Sequence, residues 1–492
     1  MSSGAGPGRA ALGPAAPGLP AGVPVVWDRR ARLSRDASFV TGGSPWGLAR
    51  LAPPARGFAR RLSDAGSLGV IPVDAAELRT ADRLVERGLA HPRPRARPAR
   101  DVVVVVPARD RPASLEACLA SLAGLQVLVV DDASSEAARV ERVAADHGAR
   151  LERHAVNRGP ASARNTGVAV TDVGLVAFVD SDCRAQPGWL DALVAHFDDP
   201  RVAAVAPRVR PLATGDCVLG RYEQARSALD MGAEPQLVRP GARLGFVPSA
   251  TLVVRRKALV DNGFDPSMRV GEDVDLVWRL VEAGWHVRYD PSVSVWHEMR
   301  ARPRDWLATR FVYGTSAPAL ERRHPGRLAP ARPSAWNLAA LACLVAGHPV
   351  PGLLTATGAA SALARRLHEA GVPPWLAPVI VGKGLLADAV AIGHALRREW
   401  WPLGWLALAT ASRSSLGRAG AAAMLAPVAL EIVRTRPRVN PLGYAALRLV
   451  DDAAYGSGVI TSAIRERRPA ALLPRPRLPF AHARRDGSRE RP

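Results

Sequence analysis

Ala177-Phe178-Val179-Asp180-Ser181-Asp182-Cys183 is the stretch whose reading decides the fold. An apolar run from Val173 to Val179 stops at two carboxylates separated by one residue. On an extended backbone every second side chain points the same way, so Asp180 and Asp182 share a face at the strand's end. Two hard oxygen ligands there suit Mg²⁺ or Mn²⁺ together with a diphosphate. Read alone, the residues also make an ordinary polar turn closing a strand. The sequence on either side decides between the two.

Upstream, the pattern from Asp101 is β-α-β-α-β. Val102 to Val106 are five valines, too apolar for a one-faced sheet and right for a central strand. Pro107-Ala108-Arg109-Asp110-Arg111 is a loop, and Ser114 to Leu122 a helix with Ser114 as its cap. Val127 to Val130 is a second strand, ending in Asp131-Asp132-Ala133-Ser134. A helix over Glu136 to His147 stops at Gly148, and Leu151 to Ala155 is short and extended. Asn157-Arg158-Gly159-Pro160 turns into a helix, Ala161 to Val170, which leads back to the aspartate-tipped strand. Such alternation predicts an α/β domain with a parallel sheet and right-handed crossovers. Ligands of such sheets bind beyond the carboxyl ends of the strands, where Arg109, Asp131, Asp132, Asp180 and Asp182 all fall. No G-x-G-x-x-G, Walker A, H-E-x-x-H or G-x-S-x-G pattern is present, so dinucleotide, P-loop, zinc-protease and serine-hydrolase readings lack their usual support.

Further out, the 492 residues allow two or three domains. Residues 1–23, rich in Gly, Pro and Ala and without a secretory pattern, are expected to be disordered. Residues 24–92 read as a small α+β module, winged-helix-like. Strands are expected around Val25 to Trp27 and Ala31 to Leu33, helical pieces over Gly47 to Leu51 and Gly57 to Leu62, and a helix over Thr80 to Gly88. Residues 93–100, with alternating Pro and Arg, form an extended linker. Residues 101–300 are the α/β domain. Residues 301–470 are apolar and helical, and 471–492 a basic tail. Trp336 to Ala364 contains no Asp, Glu, Lys or Arg, yet Pro349 and Pro351 break it into two short halves. Trp400, Trp401 and Trp405 with flanking arginines favour contact with a membrane interface.

The formal net charge of +21 comes almost wholly from arginine, since lysine occurs only at Lys257 and Lys383. The excess concentrates in the linker and the tail, which fits solvated segments or anionic lipid, and no nucleic-acid groove is expected. The four cysteines are far apart with no zinc spacing, which suits a reducing compartment. The expected location is therefore cytoplasmic, at the inner face of the cell membrane.

V-V-V-V-V-P-A-R-D-R, V-L-V-V-D-D-A-S, N-R-G-P-A-S-A-R-N-T-G and A-F-V-D-S-D occur in succession. They are followed by N-G-F-D-P-S-M-R-V-G-E-D-V-D-L-V-W-R-L-V-E-A-G-W, Asn262 to Trp285, and then Val295-Trp296-His297. In this order and register the motifs resemble family 2 glycosyltransferases with the GT-A fold. The resemblance implies an inverting transferase using a nucleotide sugar and a divalent metal, Mg²⁺ or Mn²⁺. Pro107, Arg109, Asp131, Asp132, Arg164 and Asp180 would then hold the nucleotide sugar. Asp182, Asp180 and His297 would hold the metal, Asp273 would be the catalytic base, and Glu272 and Trp278 would touch the acceptor or sugar. Plainer uses exist for each: a capped turn at Asp131, helix electrostatics at Glu272 and Asp273, and core packing at Trp278. The Q-x-x-R-W signature of processive synthases is absent.

The full-length arrangement is similar to the glycosyltransferases of mycofactocin biosynthesis. That implies UDP-glucose as donor, a peptide-derived cofactor precursor as acceptor and a β-1,4-glucosyl oligomer as product. A lipid-linked or cell-wall glycan acceptor, and a non-catalytic nucleotide-sugar-binding scaffold, are the alternatives.

Overall fold

The computed structural model describes residues 18–212, 216–260, 263–300 and 302–477. Residues 1–17 and 478–492 lie outside this range, and with them most of the expected disordered 1–23 and basic tail 471–492; within it, Leu19 is buried and its amide donates to Asp82 Oδ1 at 2.9 Å. The chain divides into two compact units, one ending at Ala301 and one beginning at Arg302.

The first unit opens with a small α+β layer. β1 (Val25–Trp27) pairs antiparallel with β5 (Ala90–Pro92), while β2 (Arg32–Leu33), β3 (Phe39–Gly42) and β4 (Gly47–Arg50) form an antiparallel meander. α1 (Pro53–Ala65) and α2 (Ala75–Glu86) cover it, burying Phe58, Leu62, Leu84 and Val85 against Val25, Trp27 and Val40. Asp74 caps α2 by accepting from the Glu77 amide at 2.8 Å, so the helix starts well before Thr80. The helical piece expected at Gly47 to Leu51 is instead strand β4: the turn at Gly43 to Trp46 folds it back onto β3 in register, Val40 opposite Ala49.

After residues 93–100, which are neither helix nor strand, comes the large sheet. Its elements are β6 (Val102–Ala108), α3 (Pro112–Ser121), β7 (Val127–Asp131), α4 (Ala137–Asp146), β8 (Arg150–Arg153), α5 (Pro160–Ala169) and β9 (Leu175–Val179). β10 (Cys183–Ala185), α6 (Trp189–Val194), β11 (Val202–Leu212), α7 (Val218–Ala225), β12 (Gln236–Val238) and β13 (Thr251–Arg255) follow. α8 (Arg256–Val260), α9 (Glu272–Glu282) and β14 (His286–Glu298) complete it. The strand order is β10-β14-β11-β13-β9-β6-β7-β8, with β12 beside β14.

Only β9, β6, β7 and β8 make the run of parallel neighbours that alternation predicts. β13 lies antiparallel to both β9 and β11, so the sheet is mixed. The chain steps from β6 outward to β7 and β8, then returns to β9 on the other side of β6. That reversal opens a crevice at the carboxyl ends of β6, β7 and β9. Val104, Val106, Val129, Ala177 and Val179 form the core beneath it. Ser114 does not cap α3. It lies in the helix's first turn, and its hydroxyl donates to Glu298 Oε2 at 2.7 Å.

The second unit is helical: α10 (Pro303–Gly314), α11 (Ala317–Arg323), α12 (Ala335–Val345), α13 (Pro349–Glu369), α14 (Leu376–Arg397), α15 (Trp401–Thr410), α16 (Ser415–Thr435) and α17 (Pro441–Arg465). The expected break near Pro349 separates α12 from α13. Buried ion pairs join the helices, Arg310 to Asp451 at 2.7 Å and Arg397 to Asp452 at 3.0 Å. α14 and α16 are each long and apolar enough to cross a membrane, and only 17% of each apolar window is buried.

Candidate active site

α5 organises the crevice. Gly167 lets this helix press onto β6: a Cβ there would stand 2.4 Å from Val105 Cγ1. The preceding three residues of the A-R-N-T-G motif each reach a different partner. Arg164, 3% exposed, donates to Asp180 Oδ1 at 2.7 Å and to Glu272 Oε1 at 2.9 Å, with its guanidinium 5.2 Å from the Phe264 ring. The Asn165 amide donates to the Phe264 carbonyl at 2.7 Å and accepts from the Phe264 amide at 3.0 Å, which clamps the loop ahead of α9. Thr166 Oγ1 lies 2.9 Å from His154 Nε2, whose ring meets Asp132 Oδ1 through Nδ1 at 2.8 Å. Since Asp132 is the acceptor, Nδ1 donates to it, and the His154 ring bridges Asp132 to Thr166.

The two acids after β7 therefore differ in use. Asp131 is fully buried and accepts from the Ser134 amide and hydroxyl (3.0 and 2.5 Å) and from Arg153 Nε at 2.9 Å, a capped turn. Asp131, expected to hold the nucleotide sugar, thus has its carboxylate turned to these protein partners. Asp132 accepts from the Arg158 and Gly159 amides at 2.8 and 2.7 Å and so fixes the turn leading into α5. The loop after β6 is tied to the same turn, because the Asp110 amide donates to Ser134 Oγ at 2.7 Å and Asp110 Oδ1 accepts from the Ser135 amide at 2.8 Å. Pro107 stands half-buried in β6 opposite Val130, and Arg109 is exposed with Nε 3.9 Å from Asp110.

Across the crevice, Gly271 adopts φ 80°, a left-handed conformation suited to glycine, and turns the chain into α9. Glu272 and Asp273 open that helix. Asp273 accepts from the Ser249 amide at 3.2 Å and the Val274 amide at 2.8 Å. Burial, then the charge of Asp273, pushes Glu272 up to about 7 against the pull of Arg164. Burial and the nearby Asp180 likewise raise Asp273, against two backbone N–H groups and Arg164. With one guanidinium to serve them, Glu272 and Asp273 are left with raised proton affinity. Trp278, expected at the acceptor or sugar, is 5% exposed and its indole N–H donates to the Gly245 carbonyl at 2.8 Å. Glu272 is likewise enclosed by its bond to Arg164. Asp275 pairs with Arg279 one turn on, at 2.7 Å.

Asp182 sits beyond Asp180 with His297 Nε2 3.3 Å from its Oδ1, because β10 pairs with β14 in the register Cys183 opposite His297. Of the expected metal trio, Asp180 meets Arg164 through Oδ1 and keeps 29% of its side chain exposed, and among the described residues no three His, Cys, Asp or Glu side chains are grouped to enclose an ion. One carboxylate and one imidazole still fit Mg²⁺ or Mn²⁺, which keep waters and take further oxygens from substrate phosphates. His154, Asn165 and Thr166 were not singled out from the sequence as site residues. Their polar side chains beside the turn and Arg164 are the signal that was there.

The family model for Glycosyl transferase family 2 matches residues 103–260. A "Pre-mycofactocin glycosyltransferase" of Mycobacterium tuberculosis is 40% identical over 471 residues, covering 93% of this chain and 98% of that protein. The chain belongs to the family 2 glycosyltransferases. The succinoglycan biosynthesis protein ExoU of Rhizobium meliloti is 29% identical over 199 residues, 37% of this chain and 58% of that protein. Among solved structures, the mannosyltransferase PcManGT of Pyrobaculum calidifontis, in complex with GDP-Man and Mn²⁺, is 21% identical with a TM-score of 0.37, covering 60% of this chain and 88% of that one. This glycosyltransferase thus has its GT-A-type mixed sheet in the first unit and a helical C-terminal region.

Proposed function

We propose that the chain transfers glucose from UDP-glucose to a peptide-derived redox-cofactor precursor, extending a β-1,4-linked oligomer in mycofactocin biosynthesis. The observation that carries this reading is the near full-length match to a protein named for that acceptor. Asp273 accepts the proton of the acceptor hydroxyl as its oxygen attacks the anomeric carbon. The bond from that carbon to the diphosphate oxygen breaks on the opposite side, the electron pair leaves with the nucleotide, and the configuration inverts. The raised proton affinity of Asp273 suits a base that must hold a proton after attack. Asp180, oriented by Arg164, faces the ribose, and Asp132 keeps the turn that lines the base side. Asp182 and His297 would hold a divalent cation, whose chemistry when bound is Lewis-acid neutralisation of the leaving diphosphate.

The test is transfer by purified protein with a panel of UDP- and GDP-sugars and Mn²⁺, the products being weighed. Asp273→Asn is expected to lower transfer by about 10²–10⁴-fold while UDP binding is kept. Retained turnover would remove Asp273 as the base. A lipid-linked acceptor is the second reading, favoured by the weakly buried helices α14 and α16. Label recovered in an organic extract rather than on the cofactor precursor would favour it. The helical unit would then rest on the cytoplasmic face of the membrane.

A further inference from the structure

Beside Asp182 stand two arginines to which neither the roles given to the motifs nor the metal pair assigns a task. Arg111 Nη1 lies 3.6 Å and Arg300 Nη2 3.8 Å from the same oxygen, Asp182 Oδ2. They reach it from opposite ends of the domain's sequence. Arg111 follows β6, at the N-terminus of α3, and Arg300 follows β14. Both distances are within ion-pair range but longer than a hydrogen bond, for which N–H···O is about 2.7–3.2 Å. Among the described residues Asp182 is the one carboxylate that either guanidinium meets.

Their neighbours are already engaged. Arg184 is neutralised by Glu298 at 3.3 Å, Arg164 by Asp180 and Glu272, and Arg109 lies by Asp110. One carboxylate therefore faces two guanidiniums whose donors are unspent, and the local balance is positive. Side-chain exposures of 50% for Arg111 and 33% for Arg300 leave both able to turn toward a ligand in the crevice. The loop bearing Arg111 is held in place. Asp110 and Arg111 both have positive φ, 56° and 53°, and the hydrogen bonds from Asp110 to Ser134 and Ser135 fix that conformation.

We propose that Arg111 and Arg300 form a clamp for the diphosphate of the donor nucleotide, taking its oxygens in planar two-pronged hydrogen bonds and stabilising it as leaving group. The clamp rests on the nucleotide-sugar reading above. It gives the crevice an affinity for nucleoside diphosphate that does not depend on the ion held by Asp182 and His297. The guanidiniums discriminate diphosphate from monophosphate, since only the former extends to Asp182.

Calorimetric titration of the full chain with UDP and UMP, and with GDP and GMP, in EDTA and in Mn²⁺, tests this. In EDTA the wild type is expected to bind the diphosphate of its preferred base more tightly than the monophosphate. Arg111→Gln and Arg300→Gln should each weaken diphosphate binding by about tenfold, a charge-assisted hydrogen bond's worth, leave monophosphate binding unchanged, and be partly rescued by lysine. Equal losses for both nucleotides, no loss in either variant, or wild-type diphosphate affinity that vanishes in EDTA would each overturn the clamp while leaving the donor reading intact. A wild-type chain that binds no nucleoside diphosphate even with Mn²⁺ would overturn the donor reading and the clamp with it. Thermal melts of the variants should match the wild type, both side chains being solvent-facing.

Discussion

Arg164 is a buried cation answering to two acids that lie far apart in sequence, one in each carboxylate motif. Arg164→Met leaves Asp180 and Glu272 enclosed without a counter-charge, and the expected loss in urea unfolding is about 3–5 kcal/mol. Arg164→Lys, a single point charge, should serve one acid and recover part of it. His154 is the second residue whose removal is informative. His154→Phe breaks the chain from Asp132 to Thr166 and should cost about 1–3 kcal/mol with a rise in the KM for donor. In a double-mutant cycle with Thr166→Val the two losses should be less than additive, because they share one bond. Arg164, Asp180 and Asp273 were each readable as single residues from motif order. Nothing in one sequence could disclose that Arg164 joins the other motifs, because the pairing spans folded distance. Local pattern leaves Trp278 open, since an aromatic on a helix beside acids is equally a sugar platform or a core residue; in the fold its indole is buried on the Gly245 carbonyl.

At the level of elements, α5 fits because it has no side chain where it crosses β6. Gly167→Ala places a methyl within 2.4 Å of Val105 and should destabilise by about 1–3 kcal/mol, read as a lowered melting temperature with activity lost in parallel. The strands β6, β7 and β9 were legible because buried runs of valine and leucine end in charged residues. The antiparallel insertion of β13 was not, since Thr251 to Arg255 has the composition of any buried strand and its direction depends on where the chain comes from. The same limit applied to β4. Gly-Leu-Ala-Arg is as compatible with helix as with strand, and pairing with β3 chose the strand. Boundaries set by caps, such as Asp74 ahead of α2, could have been found from the Asp and the Glu three residues on.

On the scale of the molecule, the small N-terminal layer is fastened to the large sheet by charge. Arg201 reaches Asp82 at 2.7 Å, Glu86 at 3.2 Å and Asp199 at 3.0 Å, and Arg288 meets Asp199 at 2.6 Å. Burial alone would raise Asp199, but Arg201 and Arg288 outweigh it and hold it below its ordinary 3.8. Burial and the same arginines lower His286 from 6.5 to about 4. The unfolded chain therefore takes up His286's proton below pH 6.5 while the folded chain does so only near 4, and stability falls as pH drops through that window. The contribution of Asp199 is lost at still lower pH, below 3.8. Hydrogen exchange at pH 4.5 and 7 should show the layer of β1 to β5 loosening first. The helical unit presents Leu403, Trp405 and Leu406 at 59%, 45% and 59% exposure. Replacing both leucines with Asp should abolish co-sedimentation with vesicles of anionic phospholipid, where the wild type pellets and salt releases part of it. Every described side chain assigned to chemistry belongs to the unit that ends at Ala301. On the reading proposed above, catalysis and membrane contact are encoded in separate stretches of the gene. A protein expressed only to residue 301 should go on transferring sugar in a test tube while no longer pelleting with anionic vesicles.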